Sequence, residues 1–393
     1  MRRVILHRVH DRGAIAIIVA ILFGFGVMMG AGALTVDVGN INAERRQLQN
    51  GADAASLSAA ADCAKGACPA ANDTGLANLV NQNAADGATK VARVDGAVAV
   101  CGSGGGLPAC TKAPNTLNLQ ECPQTTIPTG AKGNVQVYTQ TLDRSRTKTI
   151  LPYSFGAAIA GAGTGANQQT CAGAAWGPGP GGKVLPMTFS YCEWLDATGN
   201  GASYAPAPPY TPPLPTSFER KILLADSSVS GPPACRTWLG HDLPGGFGWV
   251  TGTSTCEATV SGTSWMDVST GNSVTDNSCK TVIPADLYSI VHIPVFDCMD
   301  PVGNFLMPPA SCPGTRVNGT QSWYHVRGFA AFYITGWKLN GMTDKAPLNP
   351  ANACTGGQTC IYGWFTLDLQ SYGEITDSAG QQDLGLHVVQ VTR

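Results

Sequence analysis

The sequence predicts an α+β protein in which a single N-terminal transmembrane helix, extended as an exported helical rod, precedes a disulfide-stabilised, β-rich domain. Three observations predict this class. Residues 14–36 contain no Asp, Glu, Lys or Arg. Charged residues make up only 13% of a chain that has 48 glycines and 26 prolines, which indicates a loop-rich, β-leaning protein. All 14 cysteines follow the apolar stretch, on the side where thiols become disulfides.

Residues 14–36 have the length and composition of a membrane span. A helix rises about 1.5 Å per residue, so about 20 apolar residues cross a hydrocarbon core about 30 Å thick. The apolar run is longer than the core of about 7–15 residues that is typical of a cleavable signal peptide. Four arginines precede the span, the last of them Arg12. They place residues 1–13 in the cytoplasm and the rest of the chain on the extracellular or periplasmic side of the cell membrane.

Asp37 follows the span directly. A carboxylate costs little at the membrane surface and more in the bilayer, so Asp37 is predicted either to set the depth of the helix or to pair with a basic residue of a neighbouring helix. Within the span, Gly26 and Gly30 form a GxxxG motif, which lets membrane helices approach closely, although the same glycines fit ordinary membrane-helix composition. The predicted membrane-boundary and helix-contact residues are Arg12, Gly26, Gly30, Asp37 and Leu48.

Residues 37–62 are predicted to continue the helix beyond the membrane as a rod. They contain no proline. Apolar residues recur on one face at helical spacing, namely Leu48, Ala52, Ala55 and Ala59. Because this stripe consists mostly of small side chains, it favours close contact with another helix.

The remaining exported chain is divided at a glycine–proline cluster, residues 177–182. Residues 63–180 are predicted as a small α+β region and residues 181–393 as a β-rich domain. Alternating runs of β-branched and aromatic residues predict a largely antiparallel sandwich or a mixed α+β arrangement. A helix is predicted at residues 76–85, and strands are predicted at residues 92–101, 134–142, 149–155, 183–194, 221–225, 248–251, 289–296, 324–337, 361–369 and 387–392.

The exported cysteines are predicted to form disulfides. Cross-links that contribute roughly 2–4 kcal/mol each would compensate for a modest core. Cys63 and Cys68 would close the end of the rod if they form a local bridge, but the spacing leaves the pairing as a whole open. The disulfide candidates are Cys63, Cys68, Cys101, Cys110, Cys122, Cys171, Cys192, Cys235, Cys256, Cys279, Cys298, Cys312, Cys354 and Cys360.

One motif could hold a metal ion. Asp226, Ser228 and Ser230 fit the pattern Asp-x-Ser-x-Ser after an apolar run, and a carboxylate with two hydroxyls can ligate Mg²⁺. A glycine and two prolines follow at residues 231–233 and break the helix that such a site needs, which favours a polar turn at the end of a strand. No metal and no cofactor is therefore predicted.

Catalysis is not predicted either. The sequence has no Gly-x-Ser-x-Gly, His-Glu-x-x-His or phosphate-loop motif, so the protein is not expected to be an enzyme, and no small-molecule substrate is evident. A formal net charge of −2 and a pI near 6.3 provide no electrostatic footprint for nucleic acid. The predicted partners are the membrane and other proteins.

The residues around the span resemble a known family. The motifs are RGA at residues 12–14, TVDVG at 35–39, ERRQLQN at 44–50 and ADAASL at 52–57. Together, residues 12–62 resemble the N-terminal segment of the TadG-like and TadE-like proteins of Flp (tight adherence) pilus assembly. The resemblance implies a bitopic, non-enzymatic envelope protein that assists pilus assembly, anchoring or surface adhesion. It also implies that pilus-assembly or pilin-like proteins bind the N-terminal helix.

Two other interpretations remain open from the sequence. Some TadG proteins carry a von Willebrand type A domain, so the exported part could be a metal-dependent, A-domain-like adhesin or enzyme that uses Asp226, Ser228 and Ser230. Alternatively, the chain could be an envelope protein that is unrelated to pili and shares only this type of anchor.

Overall fold

The long helix and its sheets are seen in a computed structural model. Within α1, side chains are described for residues 16–21, 23, 24, 27, 28 and from 30 onward. The structure describes residues 12–70, 72–111, 122, 126–158, 163–224, 247–250, 255–262, 264–269, 278–300, 322–371, 373–375 and 381–392.

The described elements are four α-helices, seventeen strands and three short 3-10 helices at Gly156–Ala158, Thr216–Phe218 and Pro350–Asn352. The helices are α1 (Arg12–Ala64), α2 (Thr74–Gln82), α3 (Tyr191–Thr198) and α4 (Cys279–Ala285). The strands are β1 (Thr89–Val91), β2 (Val100–Ser103), β3 (Gly133–Thr141), β4 (Leu151–Pro152), β5 (Gly165–Ala166), β6 (Gln169–Pro178), β7 (Gly181–Val184), β8 (Met187–Ser190), β9 (Arg220–Leu223), β10 (Phe247–Val250), β11 (Ala258–Ser261), β12 (Trp265–Ser269), β13 (Ile290–Asp300), β14 (Ser322–Lys338), β15 (Cys360–Thr366), β16 (Asp368–Leu369) and β17 (Leu386–Thr392).

Helix α1 is one unbroken helix of 53 residues, which confirms the predicted extension beyond residue 36. It ends where Gly66 adopts a φ of 80°, a left-handed conformation that suits glycine. The N–H group of Ala67 then donates to the carbonyl of Asp62 over 2.9 Å and satisfies one of the last helical acceptors. Counted over the described residues alone, no helix combines the length and the apolar character needed to cross a membrane.

The first sheet receives the second half of α1. Its strand order is β1-β3-β6-β17-β16, and β2 pairs with the same edge of β3 as β1 does. The predicted stripe faces this sheet, because Leu48, Ala52, Ala55 and Ala59 are all 0% exposed. Small alanine side chains let the helix lie close to β3, β6 and β17, so the stripe packs on a sheet of the same chain.

The second sheet has the order β12-β10-β8-β13-β14-β15-β9, and β12 also pairs with β14. This additional pairing closes five of the strands into a ring. Three buried aromatic rings from β8, β14 and β15 pack together in the core of this sheet: Phe189 lies 4.8 Å from Phe332 and 5.8 Å from Phe365, both edge to face. The α+β class with a β-rich part is thereby confirmed.

Of the predicted strands that differ from the structure, two do so for identifiable local reasons, whereas the strand predicted at residues 149–155 is reduced to β4. Residues 92–101 were expected to form one strand, but β1 ends at Val91 and β2 begins at Val100. An ion pair of 2.6 Å between Arg93 and Asp95 holds the intervening turn. Residues 191–194 were expected to continue a strand but begin α3, because the Ser190 side chain accepts the N–H group of Glu193 and caps the helix.

The first sheet combines both parts of the predicted domain division. The division between residues 180 and 181 falls in the turn from β6 to β7. Strand β17, near the C-terminus, pairs antiparallel with β6 from Thr392 opposite Gly173 to His387 opposite Pro178. The C-terminal segment therefore helps to build the sheet on which α1 lies.

Disulfides occur within or next to each of the two sheets, as the composition predicts. Cys192 and Cys298 are also disulfide-bonded, whereas Cys235 and Cys312 lie outside the described residues. The bridges with both partners described are Cys63–Cys68, Cys101–Cys110, Cys122–Cys171, Cys256–Cys279 and Cys354–Cys360.

Candidate functional site: the junction of the long helix with its domain

Helix α1 changes its surroundings at Asp37. On the N-terminal side of this residue, large apolar side chains are exposed, among them Phe23 at 73%, Val27 at 69% and Met28 at 77%. On the C-terminal side, the apolar stripe is buried against the first sheet. One continuous helix thus has two halves. The half before Asp37, whose large apolar side chains are exposed, is called the bare half, and the half after Asp37 is docked on the first sheet.

The Asp37 carboxylate binds the domain at this transition. It is 5% exposed and accepts the backbone N–H groups of Ser154 at 2.7 Å, Phe155 at 3.2 and 3.3 Å, and Gly156 at 2.5 Å. Hydrogen bonds to an ionised acceptor are stronger than neutral ones. A Cβ atom at position 156 would lie 2.9 Å from an Asp37 oxygen, so glycine permits the close approach. We call this set of contacts the Asp37 clamp.

Further polar contacts follow α1 into the domain. Glu44 accepts the Thr141 hydroxyl at 2.5 Å, one turn before the Leu48 carbonyl accepts the Thr139 hydroxyl at 3.0 Å. Burial raises the pKa of Glu44, and the Thr141 hydroxyl opposes that shift. Later residues of α1 contact earlier residues of β3, so the strand runs antiparallel to the helix. The last residue of β3, Thr141, is therefore at the end of the strand that is nearer to the bare half.

The C-terminal end of α1 meets a buried histidine. His387 Nδ1 lies 2.8 Å from the Ala64 carbonyl, and Nε2 lies 2.8 Å from Asp383 Oδ1. Both neighbouring oxygens are acceptors, so the contacts are satisfied when both ring nitrogens carry protons. Burial would raise the pKa of Asp383, but the hydrogen bond and charge of His387, with Lys132 at 3.0 Å, hold it well below its ordinary value.

The depressed pKa of Asp383 predicts a loss of stability in acid. Its ionised form stabilises the fold above the ordinary aspartate pKa of about 3.9, and that contribution is lost as the pH falls towards the lower pKa of the folded state. We expect the free energy of unfolding of the unchanged protein to exceed that of Asp383→Asn by on the order of 2 kcal/mol at pH 7. This difference should disappear below about pH 3. Urea unfolding between pH 7 and pH 2 measures it. The exposed Asp344→Asn is the control, and a constant difference would contradict the prediction.

The structure places the sequence-predicted contact residues in both halves of α1. Arg12 is its first residue, and Gly26 and Gly30 lie in the bare half, with open space around Gly30. Leu48, in contrast, is 0% exposed and contacts the protein's own domain. Its burial reflects the same close packing that covers the alanine stripe.

The sequence offers one possible metal motif. Asp226, Ser228 and Ser230 are outside the residues that the structure describes. In the part that it does describe, no three His, Cys, Asp or Glu residues are grouped so that they could hold a metal ion.

The partners of Asp37 and of the helix end could not be found from the sequence. Ser154 follows Asp37 by 117 residues, and His387 follows Ala64 by 323. Residues 154–156 contribute backbone N–H groups, which every residue except proline carries, so their residue types alone do not identify them as partners of Asp37. Only the pairing of β3, β6 and β17 brings these segments to the helix.

The part of the chain that carries these contacts was compared with protein families. Residues 13–62 match the family model described as putative Flp pilus-assembly TadE/G-like. The predicted resemblance over residues 12–62 is thereby confirmed. This TadE/G-like segment coincides almost completely with α1 and includes both Asp37 and Leu48. At the level of the family, it connects the chain with Flp pilus assembly. Among curated proteins and among solved structures, no match to the chain was found.

Proposed function

We propose that the protein is a non-enzymatic, membrane-anchored envelope component that assists Flp pilus assembly, anchoring or surface adhesion. Residues 14–36 are its single membrane span, residues 1–13 lie in the cytoplasm, and the domain lies outside the cell membrane. The observation that carries the proposal is the division of the TadE/G-like helix into an exposed apolar half and a docked half at Asp37.

The exposed half requires an apolar environment. Ile17, Ile18, Phe23, Val27 and Met28 are each more than half exposed, and a contiguous apolar surface of this kind marks a membrane or a protein contact. The helical backbone satisfies its own hydrogen bonds, as a span in lipid must. The arginines before residue 14 agree with a cytoplasmic N-terminus.

The docked half makes the anchor and the domain one rigid unit. No residue between 12 and 64 interrupts α1, and the Asp37 clamp holds the domain where the apolar half begins. A domain joined in this way keeps a fixed orientation to the membrane, which suits a scaffold in an assembly machine. Its proposed partners are pilus-assembly or pilin-like proteins that contact the membrane half, where Gly26 and Gly30 would allow close helix packing.

Val27→Arg tests the anchor. A charge in the centre of a span costs about 2.5–3.5 kcal/mol on the translocon scale, so we expect the variant to leave the carbonate-washed membrane pellet and to lose surface pili. The measurement is made in a pilus-producing strain that carries the variant in place of the chromosomal copy.

Val98→Arg is the matched control, because Val98 is 44% exposed and lies outside the span. It should remain in the membrane and support pili. Normal pili in a strain without the gene would contradict the role in pilus assembly. If carbonate released the unchanged protein from the membrane, the proposed membrane span would be wrong.

A further inference from the structure

One connection of the domain lies next to the bare half of α1. Strand β3 ends at Thr141 beside Glu44, and Gln168, just before β6, accepts a hydrogen bond of 2.6 Å from Arg45. The chain between these points reaches further towards the N-terminus of α1, because residues 154–156 bind Asp37. We call residues 142–158, the described residues that lead from β3 to Asp37, the membrane-proximal connection.

The membrane-proximal connection is positively charged. Its cations are Arg144, Arg146 and Lys148, all exposed, and its only anion in the sequence is Asp143. Arg146 also donates to the Gly87 carbonyl at 2.9 Å and remains exposed. The net charge of this stretch is therefore positive in a chain whose formal net charge is −2.

Asp143 shapes this turn. Its carboxylate accepts the Ser145 hydroxyl and the N–H groups of Thr147 at 2.7 Å and Lys148 at 2.8 Å. These hydrogen bonds, the Ser145 contact first, lower the pKa of Asp143 to about 2. The nearby acid groups on other elements are Asp86, which is exposed, and Glu44, which is buried.

The same connection carries an exposed aromatic side chain, seven residues after Lys148. Phe155 is 53% exposed, although its backbone N–H group is held by Asp37. The clamp therefore presents this ring at the level of the helix where the apolar half begins. Exposed basic residues and an exposed aromatic ring in one segment are typical of surfaces that bind the interface of an anionic membrane.

We propose that the membrane-proximal connection binds anionic phospholipid headgroups, with Phe155 inserted at the boundary between headgroups and acyl chains. Arg144, Arg146 and Lys148 provide the charge complementarity, and the Asp37 clamp provides continuity with the span. This inference rests on the proposed membrane anchor. Docking of the connection would restrict the tilt of the domain, because the domain would then touch the bilayer at α1 and at a second point.

Photo-cross-linking of the full chain tests this contact. Phe155 is replaced by p-benzoylphenylalanine, which leaves its backbone N–H group unchanged, and the protein is reconstituted into bilayer discs of phosphatidylcholine alone or mixed with phosphatidylglycerol. We expect lipid adducts at position 155 that increase at least threefold with phosphatidylglycerol. The same probe at Tyr288, which is 42% exposed in another part of the chain, should form few adducts.

Charge variants then test whether adduct formation at position 155 depends on the three cations or only on the closeness of that position to lipid. Arg144→Gln, Arg146→Gln and Lys148→Gln together should lower the adduct yield to that in phosphatidylcholine. The control changes three other exposed cations to Gln, namely Lys65, Lys183 and Lys280. It should leave the adduct yield unaltered.

The outcomes distinguish this inference from the proposed function. Carbonate-resistant incorporation into the discs is measured on the same samples, and failure to incorporate would overturn both proposals. Incorporation with a yield at position 155 no higher than at position 288, or equal in both lipids, would overturn only the lipid contact. Adducts to protein in place of lipid, in samples that contain a pilus-producing membrane extract, would also overturn it.

Discussion

Leu48→Ala is expected to lower the free energy of unfolding by about 3 kcal/mol, with a range of about 2–5 for buried leucines. Leu48 is 0% exposed between α1 and the first sheet, and its carbonyl accepts the Thr139 hydroxyl. The substitution leaves a cavity that close packing against β3 cannot fill. Urea unfolding of the full chain in detergent, followed by tryptophan fluorescence, measures the change.

Leu57→Ala is the matched control for this prediction. It removes the same atoms from the same helix, but Leu57 is 36% exposed, whereas Leu48 is fully buried. We expect a change below about 1 kcal/mol. If the two variants lost equal stability, the docking of α1 on the first sheet would be wrong.

Asp37→Ala is expected to open the junction. It leaves three backbone N–H groups, at residues 154–156, without the acceptor that now binds them. Unsatisfied groups of this kind cost about 1–3 kcal/mol each when buried, and water can reach part of this connection, so we expect a loss of about 2 kcal/mol. This corresponds to roughly 30-fold faster hydrogen exchange at those amides when they exchange through local opening.

Hydrogen exchange by mass spectrometry measures the effect on the peptide that contains residues 154–156. Asp62→Ala changes an exposed aspartate of the same helix and should leave that peptide unaffected. Asp37→Asn should lie between the two, because it keeps one acceptor oxygen and loses the charge. Unchanged exchange in Asp37→Ala would show that the carboxylate does not hold the connection.

Local periodicity was sufficient to predict α1 and its buried face. Residues 37–62 have no helix breaker, and an apolar stripe at spacing three and four needs a partner whatever that partner is. The sequence favoured another helix as that partner, whereas the structure shows a sheet. Small side chains permit close approach to either, so alanine alone does not distinguish them.

The candidate site depended on contacts that no local pattern contains. Asp37 was predicted from its position after the apolar run, but its acceptor role requires the connection between β3 and β6 to fold back to the helix. His387 shows the same dependence, because the C-terminal strand must pair with β6 before the histidine reaches Ala64. Backbone amides carry no residue signature, so the sequence cannot mark them.

The sequence by itself determined the long helix, its apolar and polar halves, the TadE/G-like resemblance and the oxidised, β-rich character of the rest. These properties follow from hydropathy and spacing along the chain, which act locally. Only the tertiary structure decided that the polar half docks on its own sheet, that Asp37 binds residues 154–156, and that the exposed Phe155 lies where the apolar half begins. Those contacts join residues far apart in the chain, and they form only once the strands between them have paired.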